Sequence, residues 1–188
     1  MNIGILALQG DFEMHARMIK KLGHTPVFVR YAHELNSCDK LIIPGGESTT
    51  MLKLIEKNSL RSDLLDFGRS RAVMGTCAGL IVLSREAGDL PHPSLNLIDL
   101  EVTRNAYGRQ IDSFVDTIVF EADGQQMEVE GVFIRAPKIS KLGPDVQPLA
   151  YHEREVVMAA NDHILAATFH PELTDDVRIH EYFINKIG

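Results

Sequence analysis

The chain has 188 residues and a formal net charge of −7, from 19 basic and 26 acidic side chains. Apolar residues make up 45% and charged residues 24%, which is ordinary for a folded domain in water. This length favours one domain spanning residues 1–188, large enough to bury roughly 70% of the surface that its unfolded chain exposes. The acidic balance argues against a nucleic-acid or anionic-membrane partner, because either would favour a basic face.

The two cysteines, Cys38 and Cys77, are too few for a disulfide framework, and no pair of Cys-x-x-Cys units offers a zinc site. Cys38 has no histidine in its context, so we expect a structural role for it. The first residues do not form a signal peptide, and no apolar run reaches the roughly 20 residues that a membrane helix needs. We therefore expect a cytoplasmic protein that uses no metal and no cofactor.

Short apolar runs alternate with helical patterns through the first half of the chain. The runs that predict strands are residues 3–8, 26–30, 41–43 and 72–75, and the first is typical of a parallel strand covered on both faces. The segments with helical spacing are residues 12–22, 49–57, 60–69 and 78–83. This alternation predicts a parallel sheet with helices on both faces.

The second half of the chain has a different pattern. Its strand-like segments are residues 97–103, 114–120, 129–134, 155–160 and 164–169. A tight turn is predicted at residues 161–163 (NDH), between the last two of these strands. Acidic side chains within residues 174–176 predict the first turn of a final helix, where the helix dipole favours negative charge. We therefore expect one α/β domain with antiparallel additions.

A cysteine lies between a predicted strand and a predicted helix in the segment GTCAG, residues 75–79. The pattern is typical of a nucleophile elbow with cysteine in place of serine, because Gly75 and Gly79 leave room for a strained backbone. The start of the helix directs free N–H groups and a positive dipole at the Cys77 sulfur, which favours the thiolate. The N–H of Ala78 is placed to donate to an oxyanion. The alternative is a buried cysteine between two packing glycines.

His170 ends an apolar strand and is followed by Pro171 and Glu172. In an open parallel sheet the strand ends and the strand-to-helix turns face one crevice, so His170 can meet Cys77 despite their separation in sequence. Glu172 can orient the imidazole and stabilise its charged form, as the third member of a triad does. The alternative for these residues alone is a capped loop before the last helix. Together with the cysteine turn they favour a Cys-His-Glu triad.

A third polar turn, PGGEST at residues 44–49, also follows a strand. It lacks the lysine and the spacing of a phosphate-binding loop. Its glycines allow a backbone turn whose N–H groups can reach an oxyanion, and Gly46 is the donor that we assign. The alternative, which is compatible with this one, is a plain turn in which Ser48 or Thr49 caps a helix and Glu47 lies in its first turn.

Six segments carry a resemblance to a known family: GILALQG (4–10), PGGESTT (44–50), GTCAGL (75–80), RNAYGRQ (104–110), GVFIRAP (131–137) and FHPEL (169–173). In this order they resemble the triad-type class I glutamine amidotransferases and, within them, the glutaminase subunits of pyridoxal 5′-phosphate synthase. The cysteine turn is shared across the superfamily, whereas RNAYGRQ and FIRAP are much more specific to these subunits. Residues 121–130 match nothing diagnostic and receive no role.

The resemblance implies a flavodoxin-like, doubly wound fold. It also implies that Cys77, His170 and Glu172 hydrolyse L-glutamine to L-glutamate and ammonia through a thioester. The implied partner is the synthase subunit, which assembles pyridoxal 5′-phosphate from a pentose phosphate, a triose phosphate and ammonia. In the family, ammonia reaches that subunit by a protected route, and the glutaminase is expected to be weak until it docks.

The family pattern also places contacts to glutamine at Gly46, Glu47, Ser48, Arg104, Ile134 and Arg135. Arg104 and Arg135 are the candidates for the α-carboxylate, since a guanidinium can bind it bidentately. The alternative is that either arginine is a solvated surface charge. Asp11, His15 and Arg109 lie in matching segments, and we assign them to the partner interface or to structure.

Four other interpretations stay open at this point. The chain could serve a different synthase as its glutaminase, or act as a Cys-His hydrolase on peptides or small acyl compounds. It could be an idle subunit that only docks on a synthase and regulates it, although an intact Cys77, His170 and Glu172 set argues against this. It could also be a flavodoxin-like protein that binds a small molecule in its strand-end crevice.

Overall fold

The computed structural model describes residues 1–104 and 113–188, so Arg109 and residues 105–110 of the RNAYGRQ segment lie outside the described residues. The strands are β1 (Asn2–Leu6), β2 (Thr25–Val29), β3 (Lys40–Ile43), β4 (Val73–Thr76), β5 (Ser84–Glu86), β6 (Ile98–Thr103), β7 (Ser113–Ala122), β8 (Gln125–Ile134), β9 (Lys138–Leu142), β10 (Gln147–His152), β11 (Glu155–Ala160) and β12 (Ile164–Ala167). The α-helices are α1 (Phe12–Lys21), α2 (Ala32–Leu35), α3 (Ser48–Lys57), α4 (Arg61–Ser70), α5 (Ala78–Leu83) and α6 (Arg178–Lys186). A short 3-10 helix covers Pro171–Leu173. In the described part of the chain, no helix is long and apolar enough to span a membrane.

Nine of the described strands form one sheet, in the order β2-β1-β3-β4-β12-β11-β10-β7-β8. The strands from β2 to β12 in this order run parallel. The remaining strands continue the sheet antiparallel from β12. The parallel part has the strand order of a flavodoxin-like, doubly wound sheet, which places a binding crevice at the carboxyl ends of its strands. The predicted fold class is confirmed.

Two apolar layers cover the two faces of the parallel strands. On β3, Leu41 and Ile43 belong to one layer and Ile42 to the other, because successive side chains of a strand point to opposite faces. The first layer includes side chains of α3, α4 and α5, and the second includes side chains of α1 and α6. The apolar runs in the sequence are nearly continuous because both faces of these strands are covered.

The structure adds elements that the sequence analysis missed. β7 and β8 form a long hairpin that turns at Asp123 and Gly124, which have φ of 53° and 75°. Two positive φ values are typical of a two-residue hairpin turn, so residues 121–130 build this hairpin. The other missed elements are α2, β5, β9 and β10, and β5, β6 and β9 form a separate three-stranded sheet. Short strands with mixed burial give too little periodicity to be recognised.

The last helix begins later than predicted. α6 starts at Arg178, so residues 174–176 precede the helix and do not form its first turn. Asp176 still serves this helix end, because its Oδ1 accepts a hydrogen bond from the Arg178 N–H at 3.0 Å. The turn predicted at residues 161–163 is confirmed, and Asn161 Oδ1 accepts from the Ile164 N–H there at 2.7 Å.

Truncation of Ile42 tests the role of the central parallel strands. Ile42 is fully buried on β3, between β1 and β4, so we expect Ile42→Ala to lower the free energy of unfolding by about 2–5 kcal/mol. The control is Val115→Ala on β7, where the side chain is 59% exposed and we expect a change within about 0.5 kcal/mol. Urea unfolding measures both variants, and equal losses would contradict this placement of the core.

Candidate active site

Cys77 lies in a strained turn between β4 and α5. Its φ of 48° and ψ of −102° are rare for a residue other than glycine. Glycine is required nearby, because a Cβ on Gly79 would lie 2.0 Å from the Ile43 carbonyl oxygen and a Cβ on Gly75 would lie 2.7 Å from the Gly79 backbone. The Cys77 N–H donates to the Ala167 carbonyl oxygen at 2.8 Å. The thiol is therefore fixed at the carboxyl ends of β4 and β12.

His170 follows β12 and reaches the same end of the sheet. Its N–H donates to the Val132 carbonyl oxygen on β8 at 2.8 Å. Its ring Nδ1 lies 2.7 Å from Glu172 Oε1, and Glu172 is buried in the short 3-10 helix. The turn after β3 packs against the ring, since a Cβ on Gly45 would lie 2.3 Å from His170 Cε1. The imidazole is thus held by a strand neighbour, a carboxylate and a glycine turn.

The electrostatics favour a charged pair of His170 and Glu172. Burial lowers the pKa of His170, but interactions with Cys77 and Glu172 outweigh burial and raise this pKa to about 10. Burial raises the pKa of Glu172, whereas the interaction with His15 and the hydrogen bond and charge of His170 lower it to about 2. Burial also lowers the pKa of His15, so His15 is uncharged at neutral pH and the positive charge beside Glu172 is that of His170. An imidazolium thus faces Cys77 at neutral pH.

Asp11 joins His170 and Glu172 in a group whose possible metal-ligand atoms lie within 4.8 Å of one another. Their chemistry does not favour a cation. Nδ1 of His170 and Oε1 of Glu172 are already hydrogen bonded to each other, and the pKa of His170 is raised to about 10. A metal ligand must be the neutral imidazole, so this group suits an ion pair instead.

The turn after β3 ends in a helix cap that differs from the predicted one. The N-cap of α3 is Glu47, and neither Ser48 nor Thr49 takes that position. The Glu47 carboxylate accepts from the N–H of Thr49 at 3.2 Å and of Thr50 at 2.7 Å. Burial raises the pKa of Glu47, whereas hydrogen bonds from Thr49 and Thr50 lower it to about 2. The Glu47 N–H donates to Gln9 Oε1 at 2.8 Å. Glu47 therefore presents a fixed negative charge at the start of α3.

A cleft of about 250 Å³ opens between these segments. Of the predicted site residues, Glu172 alone does not line it and lies behind His170. The predicted residues that line the cleft are Gly46, Glu47, Ser48, Cys77, Ala78, Arg104, Ile134, Arg135 and His170. The described residues that complete the lining, and that the sequence analysis left out of the site, are Gln9, Asp11, Ile81 and Pro137.

The two arginines of the cleft differ in their contacts. Arg104 Nη1 donates to the Asp89 carbonyl oxygen at 2.8 Å. Arg135 is exposed at the end of β8 with a φ of 44°, and strained backbone of this kind clusters at ligand sites. Within residues 1–104 and 113–188, the Arg135 guanidinium has no hydrogen-bond or ion-pair partner. Arg135 is therefore the better placed of the two to bind an anionic group.

A buried polar group behind Glu172 was missed by the sequence analysis. His15 on α1 and His180 on α6 are both fully buried, and His15 Nδ1 lies 2.9 Å from His180 Nε2. The other nitrogen, His15 Nε2, lies 3.2 Å from Thr76 Oγ1 and 3.4 Å from Glu172 Oε2. Full burial excludes direct contact of His15 with a partner. No sequence signal marks His180, because a lone histidine on an apolar helix face fits a core position equally well.

Comparisons with known proteins agree with this arrangement. The SNO glutamine amidotransferase family matches residues 5–188. A protein of Fervidobacterium nodosum named pyridoxal 5′-phosphate synthase subunit PdxT is 45% identical over 100% of this chain and 97% of its own length. A protein of the same name from Solibacter usitatus is 44% identical over 98% of this chain and 98% of its own length. A crystal structure of a glutamine amidotransferase superposes with a TM-score of 0.90 at 40% identity, covering 97% of this chain and 96% of its own.

The buried histidines predict a loss of stability in mild acid. Burial, aided by His15, lowers the pKa of His180 from 6.5 to about 3, so between these values the unfolded chain binds more protons than the folded one. The contribution of His180 to stability is therefore complete above pH 6.5 and is lost as the pH falls towards 3. Urea unfolding at about pH 7 and about pH 5 measures this loss. His180→Leu should lose less stability over this interval, and an unchanged pH dependence would contradict the assignment.

Proposed function

The chain belongs to the SNO glutamine amidotransferase family, and from this premise we propose that residues 1–188 form one domain that hydrolyses L-glutamine to L-glutamate and ammonia. It acts as the glutaminase subunit of pyridoxal 5′-phosphate synthase, because its relatives are named as a subunit of that synthase. We place the reaction in the cytoplasm. The observation that carries the proposal is the strained Cys77 turn facing a His170 imidazolium, whose Nδ1 lies 2.7 Å from Glu172.

The first half of the reaction forms a thioester. The Cys77 thiolate attacks the carbon of the side-chain amide, and His170 retains the proton that the thiol has lost. The resulting tetrahedral intermediate collapses as His170 donates this proton to the nitrogen, and ammonia leaves. Glu172 stays ionised and keeps the ring oriented through Nδ1, so the proton is exchanged at Nε2 on the side of the cleft.

Two backbone N–H groups stabilise the oxyanion of each tetrahedral intermediate in this mechanism. One belongs to Ala78 at the start of α5, and the other belongs to Gly46 in the turn after β3. A single such donor is typically worth about 3–4 kcal/mol of transition-state stabilisation. The Gly45 carbonyl oxygen accepts from the Asp11 N–H at 3.3 Å, and the opposite end of this peptide bond is the Gly46 N–H. We expect docking of the synthase subunit to orient this peptide and complete the oxyanion site.

The second half of the reaction hydrolyses the thioester. His170, now neutral, accepts a proton from a water molecule, and the hydroxide attacks the acyl carbon. Cys77 leaves as the thiolate, glutamate is released, and His170 again carries the positive charge. The cycle consumes one water and returns the ion pair. Ammonia passes from the cleft to the synthase subunit, which uses it in the assembly of pyridoxal 5′-phosphate.

The charged ends of the cleft match the two charges of the glutamine backbone. Arg135 binds the α-carboxylate, and Arg104 adds positive charge beside it. The Glu47 carboxylate, whose pKa of about 2 keeps it ionised, accepts from the α-ammonium group. Ser48 and the backbone of Ile134 satisfy the remaining polar groups. Because both charges are fixed, a peptide or simple acyl substrate lacks one of the two attachments, which favours glutamine over the hydrolase alternative.

Variants of the three catalytic residues test the chemistry. We expect Cys77→Ala to abolish glutamate release, and His170→Gln or Glu172→Gln to lower kcat by at least about a hundredfold. The effects on kcat of residues that act as a unit are not additive. The double variant of His170 and Glu172 should therefore have about the same kcat as the less active of the two single variants. Glutamate release is measured with and without the synthase subunit.

The control for these variants is Cys38→Ala, which removes a buried cysteine that does not line the cleft. It should retain wild-type kcat. Activity that does not respond to the synthase subunit would contradict the partner while leaving the chemistry intact. An inactive wild type in both mixtures would favour the idle subunit or a different acyl substrate.

Arg135→Lys tests the binding of the α-carboxylate. A lysine cannot reproduce the bidentate fork, so we expect KM for glutamine to rise roughly tenfold or more while kcat changes little. The wild type should discriminate strongly against 4-aminobutanamide, which lacks the α-carboxylate, and the variant should discriminate less. Arg154→Lys, at an exposed position outside the cleft lining, is the matched control. An equal loss on both substrates would contradict the assignment.

A further inference from the structure

The buried pair of histidines behind Glu172 is not used by the mechanism above. We propose that His15 and His180 form a chain of neutral hydrogen-bond donors that fixes the free oxygen of Glu172, which makes both of them positioning residues for the triad. The inference rests on the proposed function of Glu172 as the carboxylate that orients His170. It assigns a role to one side chain from α1 and one from α6, neither of which lines the cleft.

Glu172 has one oxygen that His170 does not satisfy. Oε1 is 2.7 Å from His170 Nδ1, whereas Oε2 is fully buried and has no hydrogen bond of normal geometry within the described residues. The nearest donor is His15 Nε2, at 3.4 Å. A buried carboxylate oxygen without a donor costs free energy, so a proton on His15 Nε2 is strongly favoured.

One assignment of protons satisfies this chain. If His15 carries its proton on Nε2, it donates towards Glu172 Oε2 and the Thr76 hydroxyl oxygen. His15 Nδ1 is then an acceptor, and at 2.9 Å it accepts the proton of His180 Nε2. His180 Nδ1, which has no partner within the described residues, then carries no proton and needs no acceptor. Every N–H of the two rings is used.

The opposite assignment leaves two defects. A proton on His15 Nδ1 would be donated to His180 Nε2, which forces the second proton of that ring onto Nδ1, where no described residue accepts it. The lone pair on the unprotonated Nε2 of His15 would then face the negatively charged Glu172 Oε2 at 3.4 Å, and the two would repel each other. A buried N–H without a partner is rare in folded proteins, and so is a carboxylate facing a lone pair.

Both rings remain neutral in this environment. Burial is the largest influence on each, and it lowers the pKa of His15 and lowers that of His180 to about 3. The charged or titratable groups that face His15 are Glu172, His170 and Asp11, and those that face His180 are His15 and Glu172. A neutral donor stabilises the Glu172 carboxylate without competing with His170 for the role of counter-ion. The chain therefore positions Glu172 and leaves the net charge of the triad unchanged.

Nitrogen NMR of protein labelled in its histidines tests the protonation states directly, in complex with the synthase subunit. Protonated and unprotonated ring nitrogens differ clearly in chemical shift. We expect His15 and His180 to be neutral at neutral pH, each with its proton on Nε2. A His15 that is protonated on Nδ1, or that is an imidazolium, would overturn the proposal without any variant being made.

Two variants of His180 separate positioning from packing. His180→Leu removes the donor, which frees His15 to leave Nε2 unprotonated. We expect kcat to fall roughly tenfold with KM for glutamine nearly unchanged. The alkaline limb of kcat/KM should move to lower pH, because a poorly held Glu172 raises the pKa of His170 less. His180→Gln keeps an N–H donor near the position of Nε2 and should restore most of kcat and the pH profile.

The outcomes distinguish this inference from the proposed function. Equal losses of kcat in the two variants, with an unchanged pH profile and parallel losses of melting temperature, would mean that His180 only fills space. A wild type that does not hydrolyse glutamine would overturn the proposed function. In that case the His15 tautomer in wild type and in His180→Leu would still decide whether the donor chain exists.

Discussion

The site depends on the parallel pairing of β4 with β12. This pairing aligns Thr76 with Ala167, and the next residue, Cys77, donates its N–H to the same Ala167 carbonyl. Cys77 and His170 then leave the sheet at the same edge, although the two strands are far apart in sequence. A slip of one residue would exchange the two faces of a strand that is buried on both sides, and the core resists such a slip. The geometry of the thiol and the imidazole is therefore set by packing in the sheet below them.

The chemistry of the site requires charges in a place where burial opposes them. Glu172 and His170 are both almost fully buried, and burial alone would favour the neutral form of each. Breaking a buried pair by removing one partner leaves an uncompensated charge, which costs far more than the pair contributes. The surrounding glycines, the β8 carbonyl that accepts from His170 and the apolar layers together hold the pair in one arrangement. Preorganisation of this kind lets the charges act without rearrangement during the reaction.

The sequence predicted which local turns meet at the cleft. The Cys77 turn, His170 and the turn containing Gly46 each follow an apolar strand, and the ends of parallel strands share one crevice. The helix cap at Glu47 was misplaced because serine and threonine are the commoner caps. The turn at Asp123-Gly124 could have been predicted from the sequence, since this dipeptide is a strong hairpin signal.

Other features could not be read from the sequence, because they depend on the tertiary arrangement. His180 on α6 meets His15 on α1 only in the folded chain, where their ring nitrogens lie 2.9 Å apart. The distinction between Arg104 and Arg135 depends on the backbone carbonyl of Asp89 and on a strained residue at a strand end. Neither leaves a pattern of spacing or composition. The small sheet of β5, β6 and β9 joins segments too short and too mixed in polarity to be recognised singly.

The position of β12 has a consequence for the synthesis of the protein. It is the last strand along the described chain, yet it lies in the middle of the large sheet, between β4 and β11. While the ribosome is still making the chain, these two neighbours expose unpaired edges that can pair wrongly or aggregate. Joining the two halves of the sheet is the same event that brings His170 to Cys77. A polypeptide that has not yet added β12 therefore cannot assemble the cleft around Cys77 and His170.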